Sequence, residues 1–212
     1  MAAVIRAFVA IELTSNLRSA LAQLQTRLKS SIPTRLPPGV RIQWVRPESI
    51  HLTLKFLGDT DEARLVDIER ALALPAASQT PFSVDVGALG VFPDLRAPRV
   101  LWVGLSGQES QDHGRATERL ARLAGDIDQA MATLGYPTEA RPFSAHLTLA
   151  RIKEHAREVG RALADSGIMQ QPQSLGTLPV HAIALMKSEL KPSGAVYTRL
   201  CEMPLREATG DR

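Results

Sequence analysis

The sequence predicts an α+β chain duplicated within itself: two antiparallel sheets, each with helices on its outer face, facing one another across a central cleft. Three observations carry that expectation. The tetrad His-Leu-Thr-Leu stands at residues 51–54 and again at 146–149, an offset of 95 residues. Sliding the chain on itself by that offset superposes segments of like character in the same order. Those segments alternate β-branched or aromatic runs with amphipathic stretches, and proline or glycine punctuates the joints.

The opening stretch AVIRAFVAIEL, residues 3–13, is rich in Val, Ile, Phe and Ala and predicts a strand. Leu17, Leu21, Leu24 and Leu28 then recur at spacings of four and three behind the candidate caps Thr14 and Ser15, which predicts a helix over 15–30. SIPTRLPPGV, residues 31–40, is a loop, because three prolines and a glycine sustain neither helix nor central sheet. Strands are expected at 41–45 and 50–57 around a turn at Pro47, followed by a helix over 61–74 that ends before Pro75. Strands at 82–92 and 98–105 flank FPDLRAP, whose prolines mark the break between halves. A long helix over 112–134 stops at Gly135, with Pro137 beyond it. The second tetrad lies on a strand at 143–151, a helix spans 153–165 up to Gly167, and strands at 175–190 and 195–204 precede a frayed REATGDR tail.

At the offset of 95, residues 5–13 fall on 100–107, the helix at 15–30 on the front of that at 112–134, and the helix at 61–74 on that at 153–165. The strand at 82–92 falls on 177–187. The expectation is one domain over residues 1–212, its pseudo-symmetric lobes built around the two tetrads.

Composition narrows the function classes. A hydrophobic fraction of 44% over 212 residues suits a globular protein that folds alone. No apolar run approaches the roughly 20 residues that span a bilayer. Arg6 and Glu12 also interrupt the apolar run of residues 1–13, unlike a signal peptide, so a cytoplasmic, non-membrane protein is expected, and as a monomer. The net charge of +3 permits a polyanionic partner, though lysines and arginines are spread without a basic tail. A single cysteine, Cys201, excludes an internal disulfide framework and a four-cysteine metal site; it reads as a buried thiol beside Met203 and Leu205.

On a strand, side chains alternate, so His51 and Thr53 share one face while Leu52 and Leu54 take the other; His146 and Thr148 oppose Leu147 and Leu149 in the same way. With the leucines anchored to the helices, two imidazoles and two hydroxyls look into the space between lobes. Two opposed imidazoles suit in-line phosphoryl displacement by water, one taking a proton from the attacking water and the other giving one to the leaving oxygen, each role worth roughly 10² to 10⁴ in rate. Thr53 and Thr148 can donate to the non-bridging phosphate oxygens. No metal or other cofactor is called for: no His-Glu-x-x-His or paired-cysteine spacing occurs, and no phosphate-binding glycine loop.

Arg151, five residues after His146, has the wrong parity for the His/Thr face and reaches the phosphate only if the strand ends or bulges near Ala150. Lys55 has the right parity, yet a lysine at a strand end commonly faces solvent. Of the remaining histidines, His113 and His155 read as exposed on helices and His181 as packed or hydrogen-bonded in an apolar strand.

With the tetrads goes a wider likeness. IRAFVAIEL, WVRPESIHLTLKFLG, GVFPDLRAPRVLWVGL, RPFSAHLTLAR and MKSELKPSGAVYTRL, in this order over nearly the whole chain, resemble the sequence blocks of the two-histidine phosphoesterases, and more narrowly the RNA 2′,3′-cyclic phosphodiesterases, also called 2′-5′ RNA ligases. The resemblance implies opening of an RNA-terminal 2′,3′-cyclic phosphate to a 2′-phosphomonoester without metal or ATP. It implies His51 as proton donor to the departing 3′ oxygen and His146 as proton acceptor from water, with Thr53, Thr148 and Arg151 on the phosphate; spacing alone leaves the acid and base interchangeable. The reverse reaction would join a cyclic phosphate to a 5′-hydroxyl. The partner is then an RNA 3′ terminus, for which Arg6, Trp44, Arg141, Phe143 and Tyr197 are candidate base and backbone contacts. Alternatives are a small cyclic nucleotide or a 1″,2″-cyclic phosphate as substrate, or an RNA-end-binding module without turnover.

Overall fold

The computed structural model describes residues 3–32, 36–106, 111–191 and 194–206. Its elements run β1 (Val4–Glu12), α1 (Ser15–Ser31), β2 (Arg41–Trp44), β3 (His51–Asp61), α2 (Leu65–Ala77), β4 (Phe82–Phe92), β5 (Val100–Ser106), α3 (Gln111–Thr133), β6 (His146–Glu154), α4 (Ala156–Asp165), β7 (Thr177–Val180), β8 (Ala182–Lys191) and β9 (Gly194–Pro204). The expected class is found: antiparallel strands in a curled sheet with helices outside.

Spatial order is β7-β4-β5-β6-β3-β1-β8-β9, with β2 added to β6. The two halves meet at one registered pair, Leu52 with Leu147. Outward from that junction, β3 and β6 lead to β1 and β5, and these lead to β8 and β4. Each half therefore contains a late strand that the other half supplies in sequence.

Helices are anchored by the residues the periodicity picked out. Thr14 caps α1 through its hydroxyl, which accepts from the Leu17 amide at 3.3 Å, and Leu17, Leu21, Leu24 and Leu28 are all buried. One polar residue joins them in the core: the Gln25 amide donates to the carbonyls of Val45 at 2.8 Å and Leu149 at 3.0 Å. A helix from the first half thus holds the back of the second tetrad. On the other side, Asp128 of α3 accepts from the buried Lys55 ammonium at 2.5 Å, so a helix from the second half holds the back of the first.

Four details depart from expectation. α2 continues through Pro75 to Ala77, since a proline one turn from the end forfeits a single backbone bond; the Ser78 amide closes on the Leu74 carbonyl at 3.0 Å. β3 extends to Asp61, while β6 starts at His146 rather than at 143. The stretch 175–190 is two strands, not one: β7 and β8 part at His181 and lie toward opposite ends of the sheet. His181 is therefore exposed at a bend, where its carbonyl accepts from the Leu205 amide at 2.7 Å, rather than packed in a strand. His155 precedes α4 in a left-handed conformation (φ 54°) and is exposed, as read. His113 falls on α3 with its side chain outside the described part, and most of the REATGDR tail lies outside it too. Among the described residues no helix is long and apolar enough to cross a membrane.

Candidate active site

Both tetrad strands carry the same irregularity. Along β1, Ala10 pairs with Thr53 and Val9 with Lys55, which leaves Leu54 as an extra residue. Along β5, Trp102 pairs with Thr148 and Leu101 with Ala150, which leaves Leu149 as the extra residue. A one-residue bulge reverses the parity of everything after it. The burial of residues 51–57 and 146–152 accordingly follows one sequence, half-buried, buried, half-buried, buried, buried, exposed, buried. The bulge turns Arg151 onto the face of His146 and Thr148, where it lines the cleft, and resolves the spacing objection against it. It also takes Lys55 off that face. Lys55 is neither in the cleft nor in solvent but 2% exposed, bonded to Asp128 and, at 2.5 Å, to the Pro137 carbonyl.

The Leu52–Leu147 pair sets the geometry of the four polar side chains. Antiparallel register lays His51 across from Thr148 and Thr53 across from His146. The two histidines are then diagonal neighbours, with Cβ atoms somewhat less than about 7–8 Å apart, and both line the same cleft. Each ring is held by its own strand's approach. His51 Nδ1 lies 2.9 Å from the Ser49 carbonyl and His146 Nδ1 lies 2.7 Å from the Ser144 carbonyl. A carbonyl only accepts, so each Nδ1 carries hydrogen and each Nε2 is left as the nitrogen whose protonation can change. The repeat therefore extends upstream, as Ser-x-His-Leu-Thr-Leu at 49–54 and 144–149, a signal in the sequence that the tetrads alone overlook.

Surroundings distinguish the two rings. His51 packs against Phe8 with centroids 4.7 Å apart and meets the edge of Tyr197 at 4.8 Å. Burial holds its pKa below the ordinary histidine value; the Ser49 hydrogen bond opposes that shift and the Arg151 guanidinium adds to it. His146 meets Phe92 edge-on at 5.1 Å, with Trp102 behind at 6.2 Å. The Trp102 ring lies where a side chain at Gly90 would sit, a Cβ there coming within 2.2 Å of it, so the glycine is required by the ring. Tyr197 is itself half-buried, which raises its phenol pKa against the opposing effect of Arg151.

The cleft between the lobes, about 660 Å³, is lined by His51, Thr53, His146, Thr148 and Arg151 together with Arg6 and Tyr197. Lys153 and Lys191 complete a cationic rim, and among the described residues no carboxylate lines the cleft. Of the other candidate contacts, Arg141 and Phe143 lie in a second hollow of about 840 Å³ that shares Thr53, Phe56 and His146 with the first. Trp44 is in neither. On β2 its neighbours Gln43 and Val45 take the cleft face, and alternation sends its half-buried ring to the core side, with the Lys29 ammonium 5.0 Å above it. Sequence reasoning passed over Phe8, Phe92 and above all Phe56, which occupies on β3 the place Arg151 has on β6 and is 63% exposed. Cys201 is half-buried, its thiol 3.7 Å from the Met203 sulfur. Among the described residues no group of His, Cys, Asp or Glu could hold a metal ion.

Paired imidazoles held by their Nδ1 atoms, paired hydroxyls and a guanidinium around one cleft have the chemistry that a phosphoesterase site of the acid–base kind requires. The chain belongs to the LigT-like phosphoesterases: the family model matches residues 11–102 and 114–197, one tetrad in each segment. It is 31% identical over 194 residues to a Methanothermobacter thermautotrophicus protein named RNA 2′,3′-cyclic phosphodiesterase, covering 92% of this chain and 95% of that one. A Thermus thermophilus protein of the same name is 33% identical over 209 residues, 97% and 92% of the two chains. Among solved structures, TT0787 of T. thermophilus superposes with a TM-score of 0.68 at 32% identity, over 96% of this chain and 99% of that one. E. coli LigT in complex with phosphate has the same fold, with a TM-score of 0.64 at 24% identity over 96% and 99% of the two chains.

Proposed function

We propose that the protein hydrolyses RNA 2′,3′-cyclic phosphate termini to 2′-phosphomonoesters, by acid–base catalysis from His51 and His146 without a metal. The observation that carries this reading is the diagonal pair of imidazoles, each with Nε2 left free by an Nδ1 bond to the backbone. A water between His146 and the phosphorus gives its proton to His146 Nε2 and its oxygen to phosphorus; the P–O3′ bond breaks and O3′ takes the proton of His51 Nε2. Thr53 and Thr148 donate to the non-bridging oxygens, and Arg151 neutralises their charge. Acid and base are assigned by the resemblance of the two tetrads to the family pattern. Burial and Arg151 both disfavour a proton on His51 in the empty site. A bound phosphate anion offsets Arg151, so the substrate itself helps load the acid.

The cationic rim favours an oligonucleotide over a mononucleotide, because Arg6, Lys153 and Lys191 exceed what one cyclic phosphate charge engages. We also read residues 1–212 as one domain of two lobes around the tetrads, because one sheet runs through both tetrad strands.

The test is hydrolysis of a 2′,3′-cyclic phosphate oligonucleotide in EDTA by the wild type, His51→Ala and His146→Ala, with product identified as 2′- or 3′-phosphate. Each substitution is expected to cost about 10² to 10⁴ in rate. Full activity in either variant overturns the two-histidine mechanism, and tight binding with no product at all makes the protein an end-binding module instead.

A further inference from the structure

The chain enters its two tetrads in different ways. It reaches the first from β2, which pairs with β6, and the Val45 amide donates to the Leu149 carbonyl at 2.9 Å. Residues 47–49 then make one helical turn, closed by the Ser49 amide on the Arg46 carbonyl at 2.8 Å and the Ile50 amide on the Pro47 carbonyl at 3.2 Å. Backbone bonds thus hold the Ser49 carbonyl that orients His51. At the offset of 95, β2 falls on residues 136–139, which form no strand. From Pro137 to Ala145 the chain is a strap without regular structure, exposed except at Phe143 and Ala145.

Apart from the bond between Ser144 and His146, two hydrogen bonds hold this strap among the described residues. The Lys55 ammonium donates to the Pro137 carbonyl at 2.5 Å, and the Glu139 amide donates to the Asp128 carboxylate at 3.2 Å. Lys55 and Asp128 are themselves paired at 2.5 Å, so each member of one ion pair grips the strap. Five residues past Glu139 stands Ser144, whose carbonyl accepts from His146 Nδ1 at 2.7 Å. For stability alone, apolar residues of similar volume commonly serve as well as a buried ion pair. They cannot hold a carbonyl and an amide of the strap.

We infer that Lys55 and Asp128 are positioning residues for His146: by gripping the strap they fix the Ser144 carbonyl, and through it the direction of His146 Nε2. This rests on the reading of His146 as one of the two proton carriers. A side chain does here what the pairing of β2 does in the other half. Because Lys55 stands on β3, four residues after His51, the ring of one tetrad is aimed from the strand of the other.

The experiment compares wild type with two variants. Lys55→Met/Asp128→Leu removes both charges together, so that neither is stranded, and leaves the strap ungripped. Ala140→Gly/Pro142→Gly keeps the ion pair and adds backbone freedom at two exposed positions between the grip and Ser144. If the first variant does not fold, the second decides. The readouts are kcat and KM for a 2′,3′-cyclic phosphate oligonucleotide, and the imidazole nitrogen shifts of both histidines by NMR above their titration midpoints. Wild type is expected to show the Nδ1–H form at both rings. In the variants the two nitrogen shifts of His146 are expected to approach one another as the Nδ1–H and Nε2–H forms mix, while those of His51 stay. The expected fall in kcat is about 10- to 100-fold, the cost of a small misplacement, with KM changed less than about threefold because Thr53, Thr148 and Arg151 still hold the phosphate. Wild-type kcat with unmoved His146 shifts in either folded variant overturns the inference. Equal changes at both rings overturn it as well, because they report a general loosening. Full activity in His146→Ala would instead remove the proposed function, and the nitrogen shifts would still decide whether the strap orients the ring.

Discussion

β3 and β6 begin alike and then part. Both carry Ser-x-His-Leu-Thr-Leu, both bulge at the second leucine, and both tie an imidazole to the serine carbonyl two residues upstream. After the bulge, β3 continues Lys55-Phe56 where β6 continues Ala150-Arg151. The shared part holds what must be doubled in an acid–base pair. The divergent part gives one strand a buried strut and an exposed aromatic ring, and the other a guanidinium that lines the cleft. A twofold scaffold thus yields a one-sided site through two positions.

Three measurements sharpen that contrast. The largest effect is expected from Lys55→Ala, which gives β3 the residue of β6: Asp128, only 14% exposed, loses its counter-ion, and the cost is about 3–5 kcal/mol, read as a shift of the denaturation midpoint. Lys55→Met combined with Asp128→Leu should recover most of it, because removing both charges leaves none stranded. If Lys55→Ala is neutral, the strut is ornamental.

Next comes Arg151→Met, expected to lower kcat/KM for the cyclic phosphate about 10- to 100-fold, the worth of a hydrogen bond to a charged group. Arg151→Lys should recover only part, since an ammonium lacks the guanidinium fork. Equal activity in all three proteins would return Arg151 to the solvent.

The smallest effect is in titration. The His51 midpoint, followed by NMR in the free protein, is expected below the ordinary histidine value and to rise in Arg151→Met, because removing a neighbouring positive charge favours imidazolium. With His51 as the acid, the alkaline fall of kcat/KM should move to higher pH in that variant as well. A fall that moves to lower pH would contradict the sign, and an unmoved one would give the acid role to His146.

Much of this was legible in the residues. Periodicity sufficed for α1, composition for β1, and alternation for the division between His/Thr and Leu faces, because all three act locally along the backbone. The bulges were not legible: parity gave Lys55 the His/Thr face, with solvent as the commoner place for such a lysine, and denied that face to Arg151, and only the register against β1 and β5 reverses this. Trp44 was misjudged because an aromatic beside a cleft and one beneath it differ by a single residue of alternation. His181 was misplaced because an apolar stretch contains no local sign that its two ends join opposite sides of a sheet. Phe56 stayed unseen for want of the bulge that exposes it.

The crossed ties of α1 and α3 have a mechanical consequence. Gln25 reaches from the first half to the Leu149 carbonyl, and Asp128 from the second half to Lys55. Any hinge motion that spread the two tetrads would have to pull on both struts at once, as opening a braced frame loads both diagonals. The gap between the imidazoles is therefore a fixed gauge.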